Sequence, residues 1–156
     1  MTAIIAKESG LDQEFLSKID ETKDADKELY LTSNPMKYAI AAQEKVIKEI
    51  AKNGSCVIVG RAADYVLKDM NNVIKIFIHA PIETRIKNVM KMYNDKRKDA
   101  IRNIEKSDKV RKQYYEIIAS RHWGMASNYD LTVDSSIGTN ETANLICDYV
   151  NKRNLK

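Results

Sequence analysis

Cysteine and histidine are scarce in this chain, and their scarcity excludes several kinds of site. Its 156 residues include two cysteines, Cys56 and Cys147, far apart in the sequence. Such a pair indicates neither a disulfide framework nor a zinc site, and it suits a reducing compartment. The two histidines, His79 and His122, have no nearby cysteine or histidine partner. Metal ligation or nucleophilic catalysis by either is therefore disfavoured.

Long apolar runs are also missing. No run approaches the roughly 18 residues that cross a membrane. The N-terminus lacks the basic region and cleavage site of a signal peptide. We therefore expect a cytoplasmic protein with no membrane partner, and the length suits a single domain over residues 1–156.

Glycine is the third scarcity, and it bears on nucleotide chemistry. The chain has five glycines, and no G-x-x-x-x-G-K-[ST] sequence occurs anywhere in it. That loop cradles phosphates with its backbone N–H groups, its lysine and its hydroxyl, which binds magnesium. A protein that handles ATP would need another way to hold the phosphates.

Charge is abundant but nearly balanced. The net charge is +4, and basic residues concentrate between Lys87 and Arg121, interleaved with acidic ones. Such a run is usually a solvated helix face. It also suits a helical lid, over about residues 94–122, whose arginines neutralise a phosphoryl group in transfer. The interspersed acids argue against a nucleic-acid partner.

Hydrophobic periodicity predicts an α/β protein. Helices and strands alternate along most of the chain, which is typical of a three-layer parallel sheet covered by helices on both faces. Helices are predicted over 2–20, with a break at Ser9-Gly10, and over 33–53, 82–92, 95–121 (as one or two helices) and from Asn140 onward. The buried stripe of the helix over 33–53 is predicted to contain Tyr38, Ile40, Ala41, Val46, Ile47 and Ile50. The apolar side of the last helix is predicted to include Ala143, Ile146, Cys147 and Val150. Strands are predicted at Cys56–Val59, Val73–His79 and Tyr129–Val133.

The first candidate site follows the predicted strand Cys56–Val59. Gly60 allows a sharp turn, and Arg61 then emerges at the carboxyl end of the strand, where ligands of parallel sheets bind. Arginine there can hold a phosphate with two hydrogen bonds. Asp64 could orient Arg61 or contact a ribose or base. A plain helix start with a surface ion pair is the alternative.

Further candidates lie beyond the second strand. Arg85 is one turn inside the next helix and would face an anion, unless that helix face is merely solvated. Asp108 shares a helix face with Arg111 and Lys112, so the carboxylate could pair with them or point with them at one ligand. Tyr114 and Tyr115 could stack on a base or fill the core, and we favour the core for Tyr114. For Trp123 we favour a packing role.

Four ordered blocks resemble the cytidylate kinase-like family of P-loop nucleoside monophosphate kinases. The blocks occur in one order and at compatible spacing, and the resemblance covers Leu11 to Tyr149. The blocks are C-V-I-V-G-R-A-A-D-Y-V-L, I-F-I-H-A-P-I-E-T-R-I, D-K-V-R-K-Q-Y-Y and W-G-M-A-S-N-Y-D-L-T-V-D-S-S.

The resemblance implies a fold, a reaction and residue roles. The fold is a five-stranded parallel sheet of order 2-3-1-4-5, and the reaction moves a phosphoryl group from Mg-ATP to a nucleoside monophosphate such as CMP. Arg61, Asp64 and Tyr115 would bind the acceptor. Arg85, Asp108 and Arg111 would serve phosphoryl transfer.

One departure from the family pattern is large. Family members begin with a strand, the phosphate loop and a helix, whereas this chain starts where the family enters the helices after its second strand. We therefore expect the first strand and the phosphate loop to be absent and kinase activity to be impaired. The gap would be closed by direct pairing of Cys56–Val59 with Val73–His79, or by another chain in a homo-oligomer.

Two other functions remain open at this point. The chain could be a non-catalytic module that keeps only the acceptor side and binds a nucleotide or phosphate. It could also bind a partner through its basic segment, with the kinase resemblance inherited from an ancestor.

Overall fold

The computed structural model describes residues 34–154, and side chains from 37 to 153. The helix predicted over 2–20 lies outside this range. The described chain divides into two compact units. The first contains residues 34–71 and 110–121, and the second contains residues 72–109 and 122–154. Each is described by itself.

Helix α1, Asn34–Lys52, forms the start of the first unit and packs on the short helix α2, Ala63–Val66. Its buried stripe is centred on Ile47 and repeats at spacings of three and four. The prediction that Tyr38 and Val46 belong to this stripe is wrong, because their side chains are 78% and 52% exposed. Both positions, like the exposed Ala41, lie off the stripe, which instead includes the half-buried Gln43 four residues before Ile47.

The predicted strand Cys56–Val59 is also wrong. Only Cys56 makes an isolated β-bridge, and the side chains of Val57 and Val59 are 50% and 62% exposed. The proposed pairing of this segment with Val73–His79 is therefore not realised. A strand exists only through the hydrogen bonds of its neighbours, and apolar β-branched residues alone do not supply them.

A left-handed turn leads from this segment into α2. Gly60, Arg61 and Ala62 all have positive φ, at 79°, 58° and 51°. The Ala63 N–H donates to the Gly60 carbonyl, which closes the turn. The expected sharp turn at Gly60 is thus present and continues through two residues that rarely adopt this conformation.

The second unit contains the sheet. Strand β1, Ile76–His79, pairs in parallel with strand β2, Leu131–Asp134, and Ile76 lies opposite Leu131. Both strands begin later than predicted, β1 at Ile76 rather than Val73 and β2 at Leu131 rather than Tyr129. In the order 2-3-1-4-5 these would be the neighbouring fourth and fifth strands.

Helix α3, Ile82–Tyr93, follows β1 and packs against the first half of helix α4, Arg97–Ala119. The core between them consists of Ile86, Ala100 and Ile104. The polar stretch predicted as one or two helices is a single helix of 23 residues. Its second half belongs to the first unit, where Val110, Tyr114, Tyr115 and Ala119 are buried.

Helix α5, Thr139–Asn154, completes the second unit. Its apolar side was predicted to include Ala143 and Cys147, but both are exposed. Thr142 is buried instead, and its hydroxyl donates to the Gly138 carbonyl at 2.6 Å. A hydroxyl satisfied within its own helix turn can take a buried position that the apolar pattern assigns elsewhere.

Asp130 ties the start of β2 to β1 and to α5. Its carboxylate accepts the Lys75 N–H at 2.7 Å and pairs with Arg153 at 2.7 Å, and its carbonyl accepts the Tyr149 hydroxyl. Partial burial acts to raise the pKa of Asp130, but the hydrogen bonds from Lys75 and Arg153 outweigh it and hold the pKa below its usual value.

The described residues therefore form a helix-rich α/β protein with a small parallel sheet. The three-layer sheet and the full strand order stay predictions. No helix in the described range is long and apolar enough to cross a membrane.

Asp130 should make the stability of the protein depend on pH. Because its folded pKa is lowered, the stabilisation is present above the unfolded value of about 3.9 and disappears as pH falls through the folded value. Asp130→Asn should lower the free energy of unfolding by about 1 kcal/mol at pH 7, with a difference that shrinks toward pH 3.

Denaturant unfolding between pH 7 and pH 3 measures this difference. Asp148→Asn is the matched control, because Asp148 is exposed on α5. If the free energy of unfolding of Asp130→Asn stays below that of the wild type by the same amount at every pH, the ionised Asp130 carboxylate is not the source of the stabilisation.

Candidate functional site

A hydrogen bond between α2 and α4 forms the centre of the candidate site in the first unit. The Tyr115 hydroxyl donates to the Asp64 carboxylate at 2.8 Å. The Tyr115 side chain is only 4% exposed, whereas Asp64 is half-buried. Because the Tyr115 hydroxyl is buried, its hydrogen bond fixes the orientation of the Asp64 carboxylate. The second carboxylate oxygen can still accept a hydrogen bond.

Arg61 lies on the left-handed turn, three residues before Asp64. Its guanidinium carbon is 5.8 Å from the centroid of the Tyr114 ring, within the range of cation–π contact. The Tyr114 hydroxyl in turn donates to Gln43 on α1 at 2.6 Å. Tyr114 thus links α1 to Arg61, because its hydroxyl bonds Gln43 and its ring contacts the Arg61 guanidinium.

Two sequence expectations are sharpened by this geometry, and it adds one residue that the sequence analysis did not select. Asp64 was expected to orient Arg61 or contact a ligand, and its hydrogen bond in the structure comes from Tyr115. A ring as buried as that of Tyr115 is not available for stacking on a base. Gln43 was missed. An amide on the buried stripe of α1 could have indicated it, because a buried polar side chain normally has a hydrogen-bond partner.

Arg111 also belongs to the first unit. It lies on the exposed side of α4, and within residues 34–154 the structure gives its guanidinium no ion pair. An exposed arginine of this kind can turn toward an anionic ligand without first breaking an internal contact.

The second unit holds a separate pair of candidates. Arg85 on α3 and Asp108 on α4 form a bidentate ion pair, with N–O distances of 2.6 and 2.7 Å. Their side chains are 31% and 28% exposed. The hydrogen bond to Asp108 raises the pKa of Arg85. Asp108 was expected to pair with Arg111 or Lys112 or to point with them at a ligand, and it engages α3 instead.

A second ion pair joins the same helices in the same geometry. Arg97 bonds Glu83 through both guanidinium nitrogens, at 3.0 and 2.7 Å, but these side chains are 54% and 58% exposed. The two pairs therefore differ in burial rather than in chemistry.

The carboxyl ends of β1 and β2 bring His79 and Asp134 opposite each other. Hydrogen bonds from the backbone N–H and side chain of Ser136 lower the pKa of Asp134. The Ser135 hydroxyl donates to the His79 carbonyl at 3.0 Å. The Trp123 ring packs edge-on against Phe77, with 5.6 Å between the ring centroids, which is a packing contact of the kind expected for Trp123.

The described residues form no ready-made site for Mg-ATP. The sequence holds no phosphate loop, and between residues 34 and 154 no three acidic, histidine or cysteine side chains group closely enough to hold a metal ion. Magnesium with ATP needs carboxylate or hydroxyl ligands and a cradle of donors for the phosphates.

Comparison with known proteins identifies the family. A model of the cytidylate kinase-like family matches residues 1–137. The chain belongs to the cytidylate kinase-like family. At the level of the family this indicates a nucleotide kinase function, for which Mg-ATP is the general phosphoryl donor.

Named relatives agree with this assignment. The chain is 30% identical over 137 residues to a cytidylate kinase of Methanocaldococcus jannaschii, covering 85% of this chain and 68% of that protein. It is also 30% identical over 118 residues to proteins named cytidylate kinase 2 in Borrelia garinii subsp. bavariensis and Borreliella afzelii. These matches cover 72% of this chain and 64% of each relative.

A solved structure resembles the fold as well. The crystal structure of an uncharacterized protein from Eubacterium ventriosum superimposes with a TM-score of 0.70 at 27% sequence identity. The match covers 90% of this chain and 82% of the other.

The half-buried ion pair should contribute more to stability than its exposed counterpart. In a double-mutant cycle of Arg85→Gln and Asp108→Asn, we expect a coupling energy of about 1 kcal/mol, because both hydrogen bonds are partly shielded from water. The cycle of Arg97→Gln and Glu83→Gln should give a smaller coupling.

Denaturant unfolding of the wild type and six variants measures both cycles. Since the pairs share helices and geometry, equal coupling energies would show that burial of the Arg85–Asp108 pair has no energetic consequence.

Proposed function

We propose that this chain provides the acceptor side of a cytidylate kinase-like phosphotransferase and binds a nucleoside monophosphate such as CMP. The observation that supports this proposal most is the Tyr115–Asp64 hydrogen bond, together with the position of Arg61 three residues before Asp64 and near the Tyr114 ring. It places a directed carboxylate and a guanidinium within one short turn and helix. Those two groups are what a nucleoside monophosphate needs, because it offers hydroxyl or amino donors at one end and a dianion at the other.

In this proposal each residue of the first unit has its own task. Arg61 holds the acceptor phosphate, since its planar fork matches two phosphate oxygens. Asp64 accepts a hydrogen bond from the ribose or the base. Tyr115 is a positioning residue that fixes the direction of Asp64, and Gln43 similarly fixes the ring beside Arg61.

Arg111, Arg85 and Asp108 are proposed to serve transfer. Arg111 would contact phosphate oxygens as negative charge shifts between them. Arg85 would supply a second guanidinium, and Asp108 would hold its fork in one orientation from α4. A bidentate carboxylate fixes the plane of a guanidinium but also competes with a phosphate for it, so Arg85 would need to exchange partners to bind one.

The donor side is what the 156 residues do not supply. Without the phosphate loop, positioning and charge neutralisation of ATP are both missing, and these provide most of the catalysis in phosphoryl transfer. We therefore propose that this chain by itself binds the acceptor but transfers phosphate slowly or not at all. The lack of a phosphate-loop sequence equally favours a non-catalytic nucleotide-binding module as the second candidate.

Calorimetric titration of CMP and of Mg-ATP, each alone, tests the proposal. CMP should bind, and Arg61→Gln should weaken it by about tenfold, because a charged hydrogen bond to phosphate is lost. Arg102→Gln is the control, since Arg102 is exposed on α4 and, within residues 34–154, pairs only with Asp99 one turn away. Mg-ATP alone should not bind measurably.

An assay of the mixture for ADP completes the experiment. Absence of CMP binding would contradict the acceptor role itself. Tight ATP binding with rapid turnover would contradict the proposed impairment, because another segment would then replace the phosphate loop.

A further inference from the structure

Two cations of the first unit converge on one tyrosine ring. The Lys68 Nζ lies 4.1 Å from the centroid of the Tyr65 ring, and the Arg121 guanidinium carbon lies 5.6 Å from the same centroid. Both distances fall within the roughly 6 Å range of cation–π attraction. These three residues form what we call the Tyr65 cluster. None of them belongs to the proposed acceptor site.

The chain reaches this arrangement through the ends of two helices. Tyr65 lies on α2, and Lys68 follows it by three residues, just beyond the end of that helix. Helix α4 ends at Ala119, and Ser120 then adopts a left-handed φ of 50°, which redirects the chain before Arg121. A serine in that conformation is uncommon and costs free energy, so the packing around this turn has to hold it there.

The cluster concentrates positive charge. Among the residues described, four other arginines each pair with a carboxylate: Arg85, Arg97, Arg102 and Arg153. Lys68 and Arg121 are both exposed, and the structure gives neither an ion pair within that range. Two like charges near one ring repel each other, and a bound anion that contacts both would relieve the repulsion.

We propose that the Tyr65 cluster binds the phosphate groups of a small anion. Arginine matches two phosphate oxygens with its fork, and lysine adds a mobile point charge. The Lys68 Nζ and the Arg121 guanidinium carbon are separated by no more than the sum of their two distances to the Tyr65 centroid, a span that a diphosphate can bridge, so a diphosphate moiety is the ligand that they suit best. The site is independent of the acceptor proposal.

A structural role is the competing explanation. Cations beyond the last turn of a helix interact favourably with its carbonyl end, which would stabilise α2 and α4 without any ligand. That role predicts a change in stability when the cations are removed, but it predicts no anion binding. Binding of an anion is therefore the decisive measurement.

Inorganic pyrophosphate, titrated calorimetrically into the full chain without magnesium, is the probe. The wild type should bind it, and Lys68→Gln and Arg121→Gln should each weaken binding by about tenfold. Lys152→Gln is the control for charge, because Lys152 is exposed on α5, outside the cluster. Thermal unfolding of each variant checks that the fold is retained.

Three outcomes would overturn the proposal. One is no binding to the wild type, or equal binding to the wild type and both cluster variants. Another is loss of binding in Arg61→Gln with the cluster variants unaffected, which would place the anion at the acceptor site. The last is tighter binding of a single-stranded oligonucleotide that depends on the same two residues, which would make the ligand a nucleic acid.

Discussion

Helix α4 supplies the partner for a charged motif residue in each unit. Its Tyr115 hydroxyl holds Asp64, and its Asp108 carboxylate holds Arg85. Both contacts are partly buried, so each charged group is costly to leave without its partner. The functional account depends on this constraint, because a carboxylate or guanidinium that could swing freely would recognise no particular ligand.

The two contacts differ in what they leave available. A carboxylate that accepts one hydroxyl can still accept from a ligand, so Asp64 is both oriented and open to further hydrogen bonds. The Arg85 guanidinium, which donates two hydrogen bonds to Asp108, has fewer donors left for a ligand. Under the proposed function, the first unit would therefore bind the acceptor, and the second would provide a contact that exchanges during the reaction.

Much of the local structure could be predicted from the sequence, because it is governed by local chemistry. The 3.6-residue pattern predicts α1, α3 and α5, and β-branched runs predict both strands that pair. The segment Cys56–Val59 has the same composition as those strands, yet it is not one, because strand formation also needs a neighbour. Likewise the exposure of Tyr38 follows from where a stripe is centred, which a broad apolar pattern does not fix.

The candidate site was predictable as a set of residues but not as a set of contacts. The motif blocks and the family resemblance point to Arg61, Asp64, Arg85 and Asp108 without the structure. Their partners lie far away in the sequence: Tyr115 is 51 residues from Asp64, and Gln43 is 71 residues from Tyr114. Nothing in local spacing encodes such pairings, which arise only when helices pack.

A double-mutant cycle on CMP affinity tests the central claim most directly. The claim is that Tyr115 contributes to acceptor binding only through Asp64. Asp64→Asn and Tyr115→Phe should each weaken CMP binding, and the double variant should bind about as weakly as the worse single variant. Additive effects, or normal affinity in both single variants, would contradict the account.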